Sequence, residues 1–247
     1  VIGAALSSIV EETGEALVRA SYSTNIKERR DCSTALFDRQ GRTLCQAEHI
    51  PIHLGSFLDF IPMLLKDHNP EDMRPGDVFV GNDAYRGGGT HLPDIVLAEP
   101  IFVEGELVAW SACFVHVYDI GAMVPGGFSP DSRDIFTEGF SYPGLKLVDR
   151  GEMNTDIMDT LLNMVRAPEM VALDLSSMIA ANNVARERMV ALVDKYGSKR
   201  VDQACQMLVD QSEQNFRDQQ SQQQPGGAHR QVEPGLLAGR VSRRSGR

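Results

Sequence analysis

The residues best suited to chemistry lie in one stretch, Asn82-Asp83-Ala84-Tyr85-Arg86-Gly87-Gly88-Gly89-Thr90-His91-Leu92-Pro93-Asp94. A run of glycines precedes His91 and Asp94, which are three positions apart. Glycine lets a backbone approach a ligand closely and adopt positive φ at little cost. Downstream, the apolar runs 95–102 and 107–116 flank Glu104-Gly105, the pattern of a β-hairpin about a short turn. With Glu104 and Gly105 as its central pair, the ladder places His116 opposite Pro93, beside both His91 and Asp94 at the open end of the hairpin. Two imidazoles and a carboxylate converging there can hold a divalent metal and leave coordination positions for water or substrate. Taken singly, a histidine on an apolar strand is usually structural, and an aspartate after proline usually serves a turn. Convergence depends on register, because a slip of one residue turns His116 to the other face of the sheet.

Two further groups carry polar chemistry. Residues 21–31 (SYSTNIKERRD) end in Lys27-Glu28-Arg29-Arg30-Asp31. That cluster is either a solvated face or an active-site loop in which arginine forks bind carboxylate or phosphate, or Asp31 binds a metal. His49 and His53 stand four residues apart beside Glu48, but Pro51 between them prevents one regular helical turn, so substrate-facing or structural roles are expected. The Gly/Pro-rich stretch from Val117 to Gly139 contains Asp119, Arg133, Asp134 and Glu138, and is expected to be an ordered functional loop.

These groups need positioning elements, and the pattern supplies them. Residues 2–20 show helical spacing, with Ile2, Leu6, Ile9, Val10, Leu17 and Val18 on one face. Residues 33–37 and 42–47 flank Asp38-Arg39-Gln40-Gly41 as a second hairpin, 56–67 form a short amphipathic helix, and 78–80 a buried strand that enters the glycine turn. Residues 145–150 form another strand. From Asn154 the character becomes helical, through 155–165, 168–196 and 198–219. The expected class is α+β: a β-rich, loop-rich body with hairpins over residues 1–150, a helical arm over 151–219, and a disordered or aberrant tail over 220–247. Residues 225–247 carry five Arg against one Glu, unlike the rest of the chain. Such a basic tail could be a nucleic-acid patch, but a disordered terminus or a shifted reading frame fits it better, and the chain is expected to be a fragment.

Composition narrows the function. The 247 residues are 42% hydrophobic and 23% charged, with a net charge of -10, an ordinary globular balance that argues against nucleic acid or an anionic membrane as main partner. No apolar run approaches the roughly 20 residues needed to span a bilayer, and no signal peptide is evident. Cys32, Cys45, Cys113 and Cys205 are scattered without a CxxC pair, which points to reduced thiols in a cytoplasmic protein. No GxxxxGK[ST], GxGxxG or GxSxG motif is present, so any ATP involved is expected to bind another chain.

NIKERRD, FDRQGR, QAEHIPIHLGS, GDVF followed by ND-YRGG-THLPD, and H-x-x-D-I-G with a following PGG loop together resemble the hydantoinase B/oxoprolinase family over residues 1 to about 219. Members of that family are longer, so the resemblance implies a missing second half. It further implies a metal-dependent subunit of an ATP-dependent cyclic-amide hydrolase of hydantoinase or 5-oxoprolinase type. A hydantoinase A-type partner would phosphorylate the substrate with ATP, in a hetero-oligomer. The alternatives are the metal-bearing subunit of an ATP-dependent acetone or acetophenone carboxylase, or a non-catalytic assembly subunit. By the same resemblance the ligands of a Mn, Zn or Fe ion are His91, Asp94 and His116, with Asp31 a fourth. Arg29, Arg30 or Arg86 could bind the phosphoryl group, Gly88 and Gly89 are further substrate-binding candidates, and Asp119 or His49 could act as general base. One departure is visible: where many members have a second histidine after the first of H-x-x-D-I-G, this chain has Val117.

Overall fold

The computed structural model describes residues 1–48, 53, 55–56 and 58–223. The first helix, α1 (Ile2–Ala20), buries Leu6, Ile9, Val10, Leu17 and Val18, the stripe its spacing demands, and stops where Ser21 turns extended. A single helical turn, α2 (Thr24–Lys27), leads into β1 (Cys32–Asp38) and β2 (Thr43–Glu48). After α3 (Phe60–Asp67) come β3 (Val78–Gly81), β4 (Asp94–Val103) and β5 (Glu106–His116). The loop beyond β5 returns to β6 (Leu145–Asp149) and the short β7 (Glu152–Met153), and the chain ends in α4 (Thr155–Asn163), α5 (Pro168–Tyr196) and α6 (Ser198–Gln223).

Among the described residues the strands form one antiparallel sheet in the order β2-β1-β5-β4-β3-β6-β7. Helices and an antiparallel sheet in this arrangement make the class α+β. Side chains alternate across the pleat, and here both faces are covered. On one face Leu17, Val18, Val80, Leu97, Cys113 and Val115 meet α5 through Leu175 and Met178. On the other, Phe60, Ile61 and Leu64 of α3 pack on Phe37, Phe79, Trp110 and Phe114. Sheet strands buried on both sides explain why β4 and β5 read as nearly continuous apolar runs rather than as alternating ones.

α5 begins with proline in its first turn, where the missing N–H costs nothing, and ends at Gly197 with φ of 83°. Two polar residues of this helix bond to the sheet. Asn182 accepts from Ser111 at 2.8 Å and donates to the Leu97 carbonyl at 3.3 Å, and Arg186 meets the buried Glu99 at 2.5 Å. Residues Val1–Asp210 constitute one compact unit, within which the change from strands to helices near residue 150 occurs. Gln211–Arg247 is a second unit, described only through the end of α6. Helix α6 reaches Gln223, so the first residues of the expected tail, 220–223, are helical. The remainder of the tail, 224–247, lies outside the described residues.

Candidate metal centre

The β4–β5 hairpin turns at Glu104-Gly105 as its sequence requires, with Glu104 at φ 51° and Gly105 at φ 85°. Val103 pairs with Glu106 and Phe102 with Leu107, but Ile101 pairs with Ala109, so Val108 is an extra residue on β5. This bulge corrects the expected register: beyond it His116 lies opposite Asp94, not Pro93. Directly opposed residues share a face of the sheet, whereas sequence neighbours do not. The bulge therefore puts the imidazole of His116 on the same side as the carboxylate of Asp94. Without it the two would point to opposite faces.

His91 completes the group from the preceding turn, in which the Asp94 N–H donates to the His91 carbonyl at 3.0 Å. Three donor atoms converge. His91 Nε2 is 3.0 Å from Asp94 Oδ1 and 3.1 Å from His116 Nδ1, and His116 Nδ1 is 3.2 Å from Asp94 Oδ1. A cation about 2.1 Å from each of three donors set at right angles requires separations of about 3.0 Å. The triangle fits that requirement. Among the described residues these three are the cluster of titratable groups close enough to share an ion.

The carboxylate is built for the anionic form. Burial alone would raise the Asp94 carboxyl, but hydrogen bonds from His116, His91 and Thr90 outweigh it and hold it well below the usual carboxylate range. Thr90 Oγ1 donates to Oδ2 at 2.6 Å, which leaves Oδ1 to face the histidines. Gly89 makes the approach possible. Its φ is 114°, and a Cβ there would stand 2.9 Å from the Asp94 Cβ. At Gly88 a Cβ would meet the Asp83 nitrogen at 2.6 Å, so this glycine shapes the turn's backbone.

A cavity of about 630 Å³ opens on His116, walled by Asn25, Arg29, Tyr118, Asp119, Phe128 and Arg166. Phe128, from the PGG loop, stacks near-parallel to His116 at 6.0 Å and tilts over His91 at 5.2 Å. Arg29 thus reaches the site, and among the described residues it is paired with no carboxylate. Arg30 does not reach it, since its guanidinium is held by Glu15 of α1 at 2.6 Å. Arg86 bonds to Asp67 and lines a second cavity, with Lys66 and Tyr85, rather than the one that opens on His116. Asp119 lies in the wall of the first cavity, yet Arg166 takes both its oxygens, at 2.6 Å through the backbone and 2.9 Å through the side chain. Both oxygens of this carboxylate are thus engaged, which ties the loop after β5 to Arg166. Asp31 sits beside His116, whose N–H donates to the Asp31 carbonyl at 3.1 Å, but its carboxylate contacts His53 rather than the cluster. His49 falls outside the described residues.

Three contributors carry no sequence signal strong enough to single them out. Phe128 and Arg166 come from loops whose path no periodicity dictates. Asp174, fully buried on α5, accepts from the Tyr22 and Ser23 N–H groups at 3.1 Å each and so fixes the start of the segment bearing Arg29 and Asp31. An aspartate among apolar residues on a helix face is the one available clue.

The model of the family described as hydantoinase B/oxoprolinase matches residues 1–233. The chain is 34% identical over 218 residues to the caprolactamase subunit beta of Pseudomonas jessenii, covering 88% of this chain and 37% of that protein. It is 35% identical over 201 residues to 5-oxoprolinase 1 of Arabidopsis thaliana, covering 76% and 16%. The crystal structure of the ATP-dependent caprolactamase from Pseudomonas jessenii superposes with a TM-score of 0.81 at 33% identity, covering 88% of this chain and 37% of that one. Nucleotide-free acetone carboxylase superposes with a TM-score of 0.73 at 26% identity, covering 78% and 26%. The chain therefore spans less than two fifths of the length of the curated relatives it matches, 37% in the case of the caprolactamase subunit.

Proposed function

The chain belongs to the hydantoinase B/oxoprolinase family, and from that membership we propose that it is the metal-dependent part of an ATP-dependent cyclic-amide hydrolase, acting on a substrate phosphorylated by a hydantoinase A-type partner subunit. The observation that carries the reading is the triangle of His91 Nε2, Asp94 Oδ1 and His116 Nδ1, whose edges of 3.0 to 3.2 Å suit a single ion. His91, Asp94 and His116 would hold a Mn, Zn or Fe ion, and Asp31, whose carboxylate rests on His53 outside that triangle, would be a further donor only by turning towards it. A divalent ion so held lowers the pKa of a bound water towards about 7 or polarises a carbonyl oxygen.

The protein's own groups supply the rest. Asp94 stays ionised, so the ligand set keeps its negative charge at neutral pH. Phe128, itself largely exposed, lies beside the two imidazoles, its ring centroid 5.2 Å from that of His91 and 6.0 Å from that of His116. Arg29, in the cavity wall beside His116, offers a fork of N–H donors for a phosphoryl or carboxylate oxygen of the substrate. Asn25 in the same wall can orient a ring amide by hydrogen bonding. Arg30 and Arg86, each committed to a carboxylate, have no such role in this reading.

The likeness to acetone carboxylase favours a second reading, in which the same cluster serves ketone carboxylation. One assay separates them. The chain, purified with its A-type partner, is supplied with ATP and hydantoin, 5-oxoproline or caprolactam, and in parallel with ATP, bicarbonate and acetone. ATP-dependent ring opening that disappears on chelation and in His91→Ala is the expected result. Bicarbonate-dependent ketone consumption instead would establish the carboxylase reading. Neither activity, in a folded complex free of divalent metal, would leave an assembly subunit.

A further inference from the structure

His53 is 2% exposed, yet both of its ring nitrogens have polar partners. Nδ1 lies 3.0 Å from Ser33 Oγ, and Nε2 lies 3.1 Å from Asp31 Oδ1. The ring packs against Phe114 with centroids 4.4 Å apart. Since a carboxylate only accepts, the Nε2 proton is the one that faces Asp31. A histidine buried against an aromatic core, with Nε2 on Asp31 and Nδ1 beside the Ser33 hydroxyl, which is shared with the Cys32 carbonyl at 2.8 Å, is a rigid support rather than a mobile ligand.

What it supports is placed by the sheet. Cys32 pairs with Val115 across β1 and β5, and the His116 N–H donates to the Asp31 carbonyl at 3.1 Å, so the ladder continues one residue past the strand. His116 in turn pairs with Asp94 across β5 and β4. Asp31, His116 and Asp94 therefore form one row across three neighbouring strands, on the face that α3 covers. Opposed Cβ atoms in such a row are about 4.5–5.5 Å apart. One oxygen of Asp31 is taken by His53, and the carboxylate starts one strand spacing from the His116 imidazole.

We propose that His53 is a positioning residue: beside Ser33, it holds one oxygen of Asp31, whose carboxylate stands outside the His91, Asp94 and His116 triangle, and so leaves the second oxygen as the donor that joins the ion held by those three. The inference rests on the metal reading above and adds to it the group that orients the fourth donor. Partners of this outer kind typically change metal affinity by roughly 10–100-fold when removed.

Titration of the metal-free chain with Co(II), followed by its visible absorption, tests the assignment without any activity measurement. Asp31→Asn and His53→Ala are each expected to weaken Co(II) binding by roughly 10–100-fold and to alter the same absorption band. The double variant is expected to be no weaker than Asp31→Asn alone, because the two changes remove one interaction. His53→Gln, which retains a donor towards Asp31, should recover part of the affinity. If His53→Ala does not fold, Ser33→Ala carries the test, with a smaller weakening in the same direction. Wild-type affinity and spectrum in folded His53→Ala, beside a weakened Asp31→Asn, would overturn the positioning role alone. Additive losses in the double variant would also overturn it. A folded wild type that binds no Co(II) would overturn the metal reading together with it.

Discussion

His91 and His116 present different nitrogens, Nε2 and Nδ1, to the same oxygen of Asp94. Each imidazole therefore has its other nitrogen directed away from the cluster, and neither can substitute for the other. Replacement of either histidine by alanine should abolish stoichiometric binding of a divalent ion, as measured by equilibrium dialysis, while leaving the sheet folded by circular dichroism. Retention of one ion per chain in either variant would remove that residue from the ligand set. The glycine beside them is equally restricted. Gly89→Ala meets both the positive φ of 114° and a Cβ contact 2.9 Å from Asp94, and the strain should cost roughly 1–3 kcal/mol. Thermal denaturation should show the loss, and dialysis should show weakened ion binding, since the displaced group is Asp94 itself. A variant with wild-type melting temperature and wild-type ion binding would contradict this account. The types of these residues are legible in the chain itself, because histidine, aspartate and glycine at this spacing have few other uses together. The surroundings of Asp119 are not: its place in the sequence suggests a base, and only the structure shows Arg166 on both of its oxygens.

At the scale of elements, the outcome hangs on one residue of β5. The turn at Glu104-Gly105 follows from sequence, but the extra residue Val108 shifts every pair beyond it by one. No residue type marks that bulge, since Val108 is an ordinary strand former. A second device holds β3 to β6. Asp77, fully buried, accepts from the backbone N–H groups of Arg74 and Arg150 at 2.9 Å each and from Lys146 at 2.8 Å. Burial alone would raise its carboxyl, but the hydrogen bonds from Lys146, Arg150 and Arg74 outweigh it and lower it. A carboxyl lowered on folding contributes stability above its unfolded value of about 3.9, and that contribution is lost as pH falls towards the folded value. Asp77→Asn should therefore destabilise by about 1–3 kcal/mol near neutrality. The gap in melting temperature from wild type should narrow as the pH is lowered below about 4. A gap independent of pH would mean that the charge of Asp77 contributes nothing.

Across the whole molecule, the sheet is covered on both sides, and three of the four cysteines are buried, Cys45 on the edge strand β2 being partly exposed. Cys32, Cys45, Cys113 and Cys205 are all free. Burial pushes the Cys32 and Cys45 thiols up to about 12 and raises Cys113 and Cys205 as well. Cys32, Cys113 and Cys205, the three buried thiols, should resist a disulfide reagent at neutral pH in the native state and react together once the protein is unfolded in urea, so that their exposure follows global unfolding. A rapid native burst from any of these three would reveal a region that opens locally. Among the described residues no helix is long and apolar enough to cross a membrane, as the amino-acid composition implies. The sequence by itself determined the family, through the motifs that resemble it, and the α+β class and most of the elements, because helical and strand periodicities are local; it also supplied the residue types of the candidate site, though not the short α2 and β7. It could not determine which face His116 occupies, which arginine stays available, or what Asp31 and Asp119 touch. Those depend on a bulge, on loop paths and on partners far away in the chain, such as Glu15 for Arg30 and Arg166 for Asp119. Such contacts are fixed only when the sheet closes between α1, α3 and α5, since packing, not spacing, then decides which neighbours a side chain meets.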